Sequence, residues 1–196
     1  MKKYFSGYFL IAAFFIGCCT TPIPDRFRYL NFKGNINQHR KLIKAKPEMI
    51  FNAITDNATF KTLYPSSRIE VSKVSDGPYA VGTILNTQKK YFVKLSWDSQ
   101  VIEMVADQKI VLRFINGVLK GGYEIWELNR TGEYTEVTHT MLYKVNGFFP
   151  SMIWVLKKGD RKHDYLVEET LDKLKKKAET TISAEGSQND ERKHLQ

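Results

Sequence analysis

Histidine and tyrosine are the side chains here whose types and spacing suit acid–base chemistry or the binding of a polar group. His139 and Tyr143 are an even number of residues apart, so a β-strand would direct both to one face. His163 lies in a segment of helical periodicity, where it would be a polar anchor among apolar neighbours. For the alternative that the protein is an enzyme, these three are the group that we nominate for proton transfer. The alternative is that each is an ordinary core residue.

Motifs of dedicated catalytic or metal sites are not found in the sequence. The four histidines, His39, His139, His163 and His194, show no HExxH or paired spacing. There is no phosphate loop, nucleophile elbow or lipase-type serine motif. The two cysteines are adjacent near the N-terminus, which excludes a disulfide framework and a cysteine metal site in the folded part. We therefore predict no catalytic residue, no metal and no cofactor, and favour a non-catalytic function.

The first 17 residues have the pattern of an export signal. Two lysines precede an unbroken apolar run, FLIAAFFI, which is shorter than the ~18 residues that a transmembrane helix needs. The residues before Cys18 resemble the bacterial lipobox, which implies that Cys18 is acylated, with palmitate among the acyl chains. The prediction is a lipoprotein anchored to a membrane of the bacterial cell envelope, inner or outer. The alternative is an ordinary cleaved signal.

The charge of the chain is +9, from 30 basic and 21 acidic residues. A cationic body and an acyl chain together give two membrane-binding signals. The basic residues alternatively form only a solubilising surface. Because they occur as scattered pairs without an aromatic–basic motif, we predict no nucleic-acid partner. We expect a monomer whose partners are the membrane and a hydrophobic small molecule or lipid.

The composition predicts one globular domain with appendages, since 42% of residues are hydrophobic and 26% are charged. We divide the chain into a signal peptide (1–17), a lipidated N-terminus and tether (18–36), a folded domain (37–178) and a disordered tail (179–196). The tether contains prolines and no sustained periodicity, and the tail contains almost no apolar residues.

The periodicity of the folded domain predicts an α+β architecture. A strand at residues 40–45 precedes Pro47, which can open a short helix, and Asp56 can cap a second one. Alternating runs separated by turn signals then predict an antiparallel meander. Residues 152–174 carry one apolar and one charged helical face. The expected fold is a curved antiparallel sheet of about seven strands gripping a long C-terminal helix, with two short helices after the first strand.

Several short motifs, in this order, resemble the START-like or SRPBCC superfamily, especially its polyketide cyclase/dehydrase-type members. They are AKPEMIF at residues 45–51, ITD at 54–56, FKTLYP at 60–65, VGT at 81–83, and WEL at 126–128. The resemblance spans about residues 37–178. It implies a helix-grip fold with a deep apolar cavity that holds lipids, sterols, polyketides or quinone-like molecules. Carriers, sensors and enzymes share this fold, so the resemblance implies no single chemistry.

The implied cavity and the alternation of the strands together predict the ligand-binding side chains. We predict that the cavity is lined by Leu95, Trp97, Leu112, Phe114, His139, Met141, Tyr143, Leu156, Gly159, His163, Leu166 and Thr170. The function that we favour is an envelope lipoprotein that binds a hydrophobic small molecule or lipid. The alternatives are a cyclase/dehydratase-type enzyme acting on an apolar or polyketide-like substrate, and an envelope interaction module that binds no ligand.

Overall fold

Seven strands of the described residues form one antiparallel sheet in a computed structural model, which describes residues 24–65, 67–89, 95–147, 150–151 and 159–193. The spatial order is β1-β7-β6-β5-β4-β3-β2, so β1 alone crosses over to pair with the last strand. The strands are β1 (Asn35–Ile43), β2 (Ile69–Lys73), β3 (Ile84–Lys89), β4 (Leu95–Val105), β5 (Lys109–Phe114), β6 (Tyr123–Thr131) and β7 (Tyr134–Tyr143).

Two short helices follow β1, and a long helix ends the described chain. They are α1 (Pro47–Thr55), α2 (Asn57–Leu63) and α3 (Gly159–Lys193). Pro47 occupies the first turn of α1, where its missing N–H costs nothing. The Asp56 carboxylate caps α2 by accepting a hydrogen bond from the Thr59 backbone N–H at 2.9 Å. The predicted α+β fold is therefore confirmed.

The main core lies between the inner face of the sheet and the three helices. It buries Ile50, Ile54, Leu63, Leu171 and Leu174, each at most 1% exposed, against inward-facing strand residues. The β4–β5 register shifts between Val101 and Glu103, so Val101 and Met104 both contact this core although they are three residues apart. The bulge explains why strict alternation fails along β4.

A second, smaller cluster covers the outer face of the sheet. Phe27 is fully buried there, in a 3-10 helix at Asp25–Leu30, and packs with Val111, Ile125 and Leu142. We predicted a tether over residues 18–36. From residue 24 onward the structure instead packs this segment on the sheet, because its spaced aromatic and aliphatic side chains cover apolar strand residues that face outward.

The ends of the chain differ from the predicted domain division in one further place. A disordered tail was predicted from residue 179, whereas α3 continues to Lys193. Residues 179–193 contain no proline, and the helix passes through Gly186, which costs about 1 kcal/mol relative to alanine. The predicted signal peptide and Cys18 lie outside the described residues. Among the described helices, none combines the length and the apolar character needed to cross a membrane.

Candidate functional site

A cavity separates the inner face of the sheet from the first described turns of α3. The volume open to the centres of water-sized spheres is about 50 Å³, and the cavity is partly open to solvent. Apolar side chains form most of its wall. The polar side chains in the wall are Tyr64, Thr87, Lys89, Glu124, His139, His163 and Thr170.

The structure places seven of the twelve predicted ligand-binding residues in the cavity wall. They are Trp97, Phe114, His139, Met141, His163, Leu166 and Thr170.

Three of the other five predicted residues are described and are not in this wall. Leu112 is buried in the main core, and Tyr143 is buried with Phe114, Leu119 and Met141. Leu95 pairs with Lys89 at the start of β4. Leu156 lies outside the described residues, and Gly159 is the first residue of α3.

Glu124 and His139 form a hydrogen-bonded pair in the cavity wall. Glu124 Oε1 lies 3.1 Å from His139 Nε2, and the same oxygen accepts a hydrogen bond from the indole N–H of Trp126 at 3.0 Å. Because a carboxylate only accepts, the proton of a neutral His139 ring belongs on Nε2. Its Nδ1 is then the basic nitrogen, and it is buried without a hydrogen-bond partner.

Lys89 brings a buried amine to the same cavity. It is 4% exposed and lies at the end of β3 opposite Ile69. Burial, with a smaller contribution from the charge of Lys162, lowers the pKa of Lys89 to about 8. Burial likewise raises the pKa of Tyr64, and the negative charge of Glu124 adds to this. Burial therefore favours the neutral forms of both groups, although Lys89 is still mostly protonated at neutral pH.

His163 extends this polar end of the cavity to α3. Its ring centroid is 6.4 Å from that of His139 and 6.5 Å from that of His39. Burial lowers the pKa of His163 well below its usual value, and the neighbouring His139 lowers it further. Its Nδ1 is buried and has no hydrogen-bond partner. His163 is thus a neutral imidazole at physiological pH.

A row of polar contacts, which we call the β1–α3 seam, runs beside the cavity. Its members are Asn37, His39 and Lys41 on β1 and Asp164, Glu168 and Asp172 on α3. Asn37 Nδ2 donates to Asp164 Oδ1 at 2.6 Å, and His39 Nδ1 lies 2.8 Å from Glu168 Oε1. Lys41 Nζ lies 3.0 Å from Glu168 Oε2 and 2.9 Å from Asp172 Oδ1.

The seam also shifts the pKa values of its own members. The hydrogen bond to Asp172 raises the pKa of Lys41 most strongly, against the opposing effect of burial. Burial alone would raise the pKa of Glu168, but hydrogen bonds from His39 and Lys41 outweigh it, so the pKa ends below its usual value. Lys41 and Glu168 are therefore charged at neutral pH, and their ion pair holds α3 against β1.

Sequence reasoning missed Glu124, Trp126 and Lys89 as cavity residues. Glu124 and Trp126 are two residues apart on β6, so they share the inner face with Leu128. That alternation was a usable signal. Lys89 offered none, because a lysine at the end of a strand is ordinarily solvated and only the fold shows that it is enclosed.

A curved antiparallel sheet gripping a C-terminal helix, with a cavity between them, defines a protein with a helix-grip fold. The resemblance found in the sequence is confirmed at this level. No family model matches the chain, and no curated protein matches it. Solved structures do.

Three of the similar solved structures cover nearly the whole length of the matched protein. The protein TTHA0849 from Thermus thermophilus has a TM-score of 0.60 at 17% identity, over 74% of this chain and 98% of that one. The Zhui aromatase/cyclase from Streptomyces sp. R1128 has a TM-score of 0.58 at 12% identity, over 76% of this chain and 95% of that one. Major latex-like protein 151 from Panax ginseng has a TM-score of 0.56 at 8% identity, over 74% of this chain and 97% of that one. At these identities the likeness shows the fold.

Proposed function

We propose that this protein is an envelope lipoprotein that binds a hydrophobic small molecule or a lipid in the cavity between the sheet and α3. The observation that carries the proposal is the wall itself. Trp97, Phe114, Met141, Leu166 and Val167 line the cavity with an apolar surface. Apolar pockets with a few converging polar groups are the usual form of small-molecule sites.

The polar end of the cavity supports a ligand with one polar group. Lys89, Glu124, His139 and His163 approach the cavity from β3, β6, β7 and α3. A hydroxyl, carbonyl or carboxyl group of the ligand loses its hydrogen bonds to water when it is buried. The four polar side chains can replace those bonds, whereas an apolar wall cannot. The ligand class that fits is therefore amphipathic, such as a fatty acid or a hydroxylated polycyclic molecule.

The cavity can be tested with a fluorescent fatty-acid probe and native mass spectrometry of the gently purified protein. Val167→Phe places a ring in the cavity wall, so we expect at least a tenfold weaker affinity for the probe. Val111→Phe makes the same substitution in the cluster on the outer face of the sheet, where Val111 is fully buried. It controls for the loss of stability that overpacking causes.

The outcomes of this experiment separate a carrier from a scaffold. A copurifying apolar ligand and selective loss of probe binding in Val167→Phe support the proposal. A wild-type protein that neither retains a ligand nor binds the probe refutes it and favours the interaction module. Equal loss of binding in both variants also refutes it, since binding would then depend on stability alone.

A second candidate function is a cyclase/dehydratase-type enzyme, and the Glu124–His139 pair favours it. The carboxylate holds the imidazole so that an unpartnered basic Nδ1 remains in a largely apolar cavity. Such a base can remove a proton from carbon next to a carbonyl. The measurement is deuterium exchange at C2 of a 3-oxoacyl thioester in D₂O. Catalysed exchange that is lost in Glu124→Gln and His139→Gln supports the enzyme, and exchange no faster than in buffer refutes it.

A further inference from the structure

The His39 side chain has an arrangement of partners that a neutral imidazole does not satisfy. Its Nδ1 lies 2.8 Å from Glu168 Oε1, so that nitrogen carries a proton. Its Nε2 lies 2.8 Å from Asn37 Oδ1 and 3.3 Å from Asp164 Oδ1. The Asn37 amide N–H binds Asp164, so the amide is oriented with its oxygen toward His39. An amide oxygen and a carboxylate oxygen only accept hydrogen bonds. Either a second proton on Nε2 or a bound cation must therefore lie between this nitrogen and the oxygen atoms.

His163 supplies a further nitrogen at the same place. One ring nitrogen of His163, one of His39 and a carboxylate oxygen of Asp164 all lie within 4.8 Å of one another. His163 Nδ1 is buried and has no hydrogen-bond partner, which is uncommon for a nitrogen withdrawn from water. Two independent features, the His39 Nε2 that faces acceptor oxygens and the His163 Nδ1 without a partner, thus occur on two side chains of one cluster.

The distances suit a small divalent ion. In tetrahedral zinc sites with bonds of about 2.0–2.2 Å, neighbouring ligand atoms are about 3.3 Å apart. The separation of His39 Nε2 from Asp164 Oδ1 is 3.3 Å. The ligand atoms of all three side chains lie within 4.8 Å of one another, so small changes in side-chain torsion bring them to this spacing.

We propose that His39, His163 and Asp164 bind a divalent transition-metal ion of the zinc class at the boundary of the β1–α3 seam and the cavity. Two nitrogens and one carboxylate oxygen leave the fourth tetrahedral position for Asn37 Oδ1, water or a ligand group. This site goes beyond the proposed binding of an apolar molecule and does not rest on it.

The surroundings of His39 have the form of an outer coordination shell. Imidazole ligands commonly donate their second N–H to a carboxylate, which fixes the tautomer and raises the basicity of the ligating nitrogen. Here Glu168 Oε1 accepts this hydrogen bond from His39 Nδ1. Lys41 binds the other Glu168 oxygen, Oε2, and Asp172. The lysine thereby holds Glu168 in place from the side away from His39.

Titration of the purified mature protein with Zn²⁺ against a chromophoric chelator tests the site. We expect one equivalent to bind, and Co²⁺ in its place to give the intense visible absorption of a four-coordinate ion. Asp164→Asn and His163→Gln are each expected to weaken binding at least tenfold. Glu168→Gln, which leaves all three ligands, is expected to weaken it by about ten to a hundredfold.

Two control variants and a melt make the test decisive. His194→Gln removes the histidine near the C-terminus, and Glu169→Gln removes a carboxylate on α3 that pairs with Lys173 and is not a member of the seam; both should keep the wild-type affinity. Thermal melts identify any variant that fails to fold. Asp164→Asn keeps the size and shape of the side chain, so it is the variant that we expect to fold most like the wild type. Absence of stoichiometric binding overturns the proposal, as does binding that only His194→Gln removes. A protonated His39 would then be what satisfies the seam.

Discussion

His39 lies directly opposite His139 in the β1–β7 register, yet the two imidazoles have separate acidic partners. His39 binds Glu168 on α3, whereas His139 binds Glu124 on the neighbouring strand β6. Opposed residues of an antiparallel pair share one face, so both rings point toward α3. The pair therefore marks the boundary where the charged seam ends and the cavity begins.

The seam depends on a match between two backbone repeats. Alternate residues of a strand are about 6.6–6.8 Å apart. Residues four apart on a helix rise by about 6 Å. Every second residue of β1 can therefore contact every fourth residue of α3, and the pairs are Asn37 with Asp164, His39 with Glu168, and Lys41 with Asp172. The seam fixes the position of α3 along β1, while the apolar core supplies most of the stability.

Leu171→Ala should be among the most damaging single substitutions in α3. Leu171 is fully buried in the main core, so its truncation removes apolar contacts and leaves a cavity. We expect a loss of about 2–5 kcal/mol in the free energy of unfolding, measured by urea denaturation. The control is Lys176→Ala on the exposed face of the same helix, which should change stability by less than ~0.5 kcal/mol. Similar losses in both variants would contradict the packing of α3 described above.

The order of elements was predictable from the sequence because each boundary carries a local signal. Pro47 at the start of α1 and the Asp56 cap of α2 are chemical requirements of helix ends, and both are found where they were predicted. The alternation of Val137, His139, Met141 and Tyr143 placed the inner face of β7 correctly, as their burial and packing show. The apolar stripe predicted over residues 152–174 required a large partner surface. The sheet provides it for the part from residue 159 onward, and residues 152–158 lie outside the described residues.

The candidate site was harder to predict because its members come from separate elements. His39, His163 and Asp164 have no motif spacing, since β1 and α3 lie at opposite ends of the described chain. The outward-facing apolar residues of β5 and β6 gave no sign that an N-terminal segment would cover them. Enclosure of Lys89 depends on the curvature of the sheet, which periodicity alone does not give.

Gly117→Ala should destabilise the protein more than Gly77→Ala does. Both glycines have φ values in the left-handed region, +72° and +77°, so alanine costs about 1–2 kcal/mol at either position. A Cβ at Gly77 meets nothing within 4 Å, whereas one at Gly117 would contact the carbonyl oxygen of Ser96 and the backbone of Trp97. We expect the contact to add about 1–3 kcal/mol at Gly117, seen in a pair of thermal melts. Equal melting temperatures would show that this turn is not held against β4.

Cys18→Ser should release the protein from the membrane if the proposed lipid anchor is correct. Gly17-Cys18 follows a short export signal, so the wild type is expected to enter the detergent phase and to carry an acyl mass. Cys19→Ser is the matched control and should remain anchored. Intact mass spectrometry and detergent partitioning measure both. An unmodified wild type, or release by Cys19→Ser alone, would contradict acylation at Cys18.

Lys89 should give the protein an unusual gain of stability in mildly alkaline solution. Its pKa is about 8 in the folded state and 10.5 when unfolded. Between these values the unfolded chain binds more protons than the folded chain, so the free energy of unfolding rises with pH. The full difference corresponds to about 3 kcal/mol. Below pH 8 both states are protonated, and the cost of burying the charge is fully present.

The gain from Lys89 is best measured between pH 8 and 9.5, below the range in which unfolded tyrosines ionise. Over this interval we expect about 1.5 kcal/mol, from urea denaturation at fixed ionic strength. Lys89→Met removes the titrating amine and should flatten the curve by that amount, whereas the exposed lysine variant Lys176→Met should retain the wild-type slope. If Lys89→Met and wild type show the same slope, the amine is solvated and does not line an enclosed cavity.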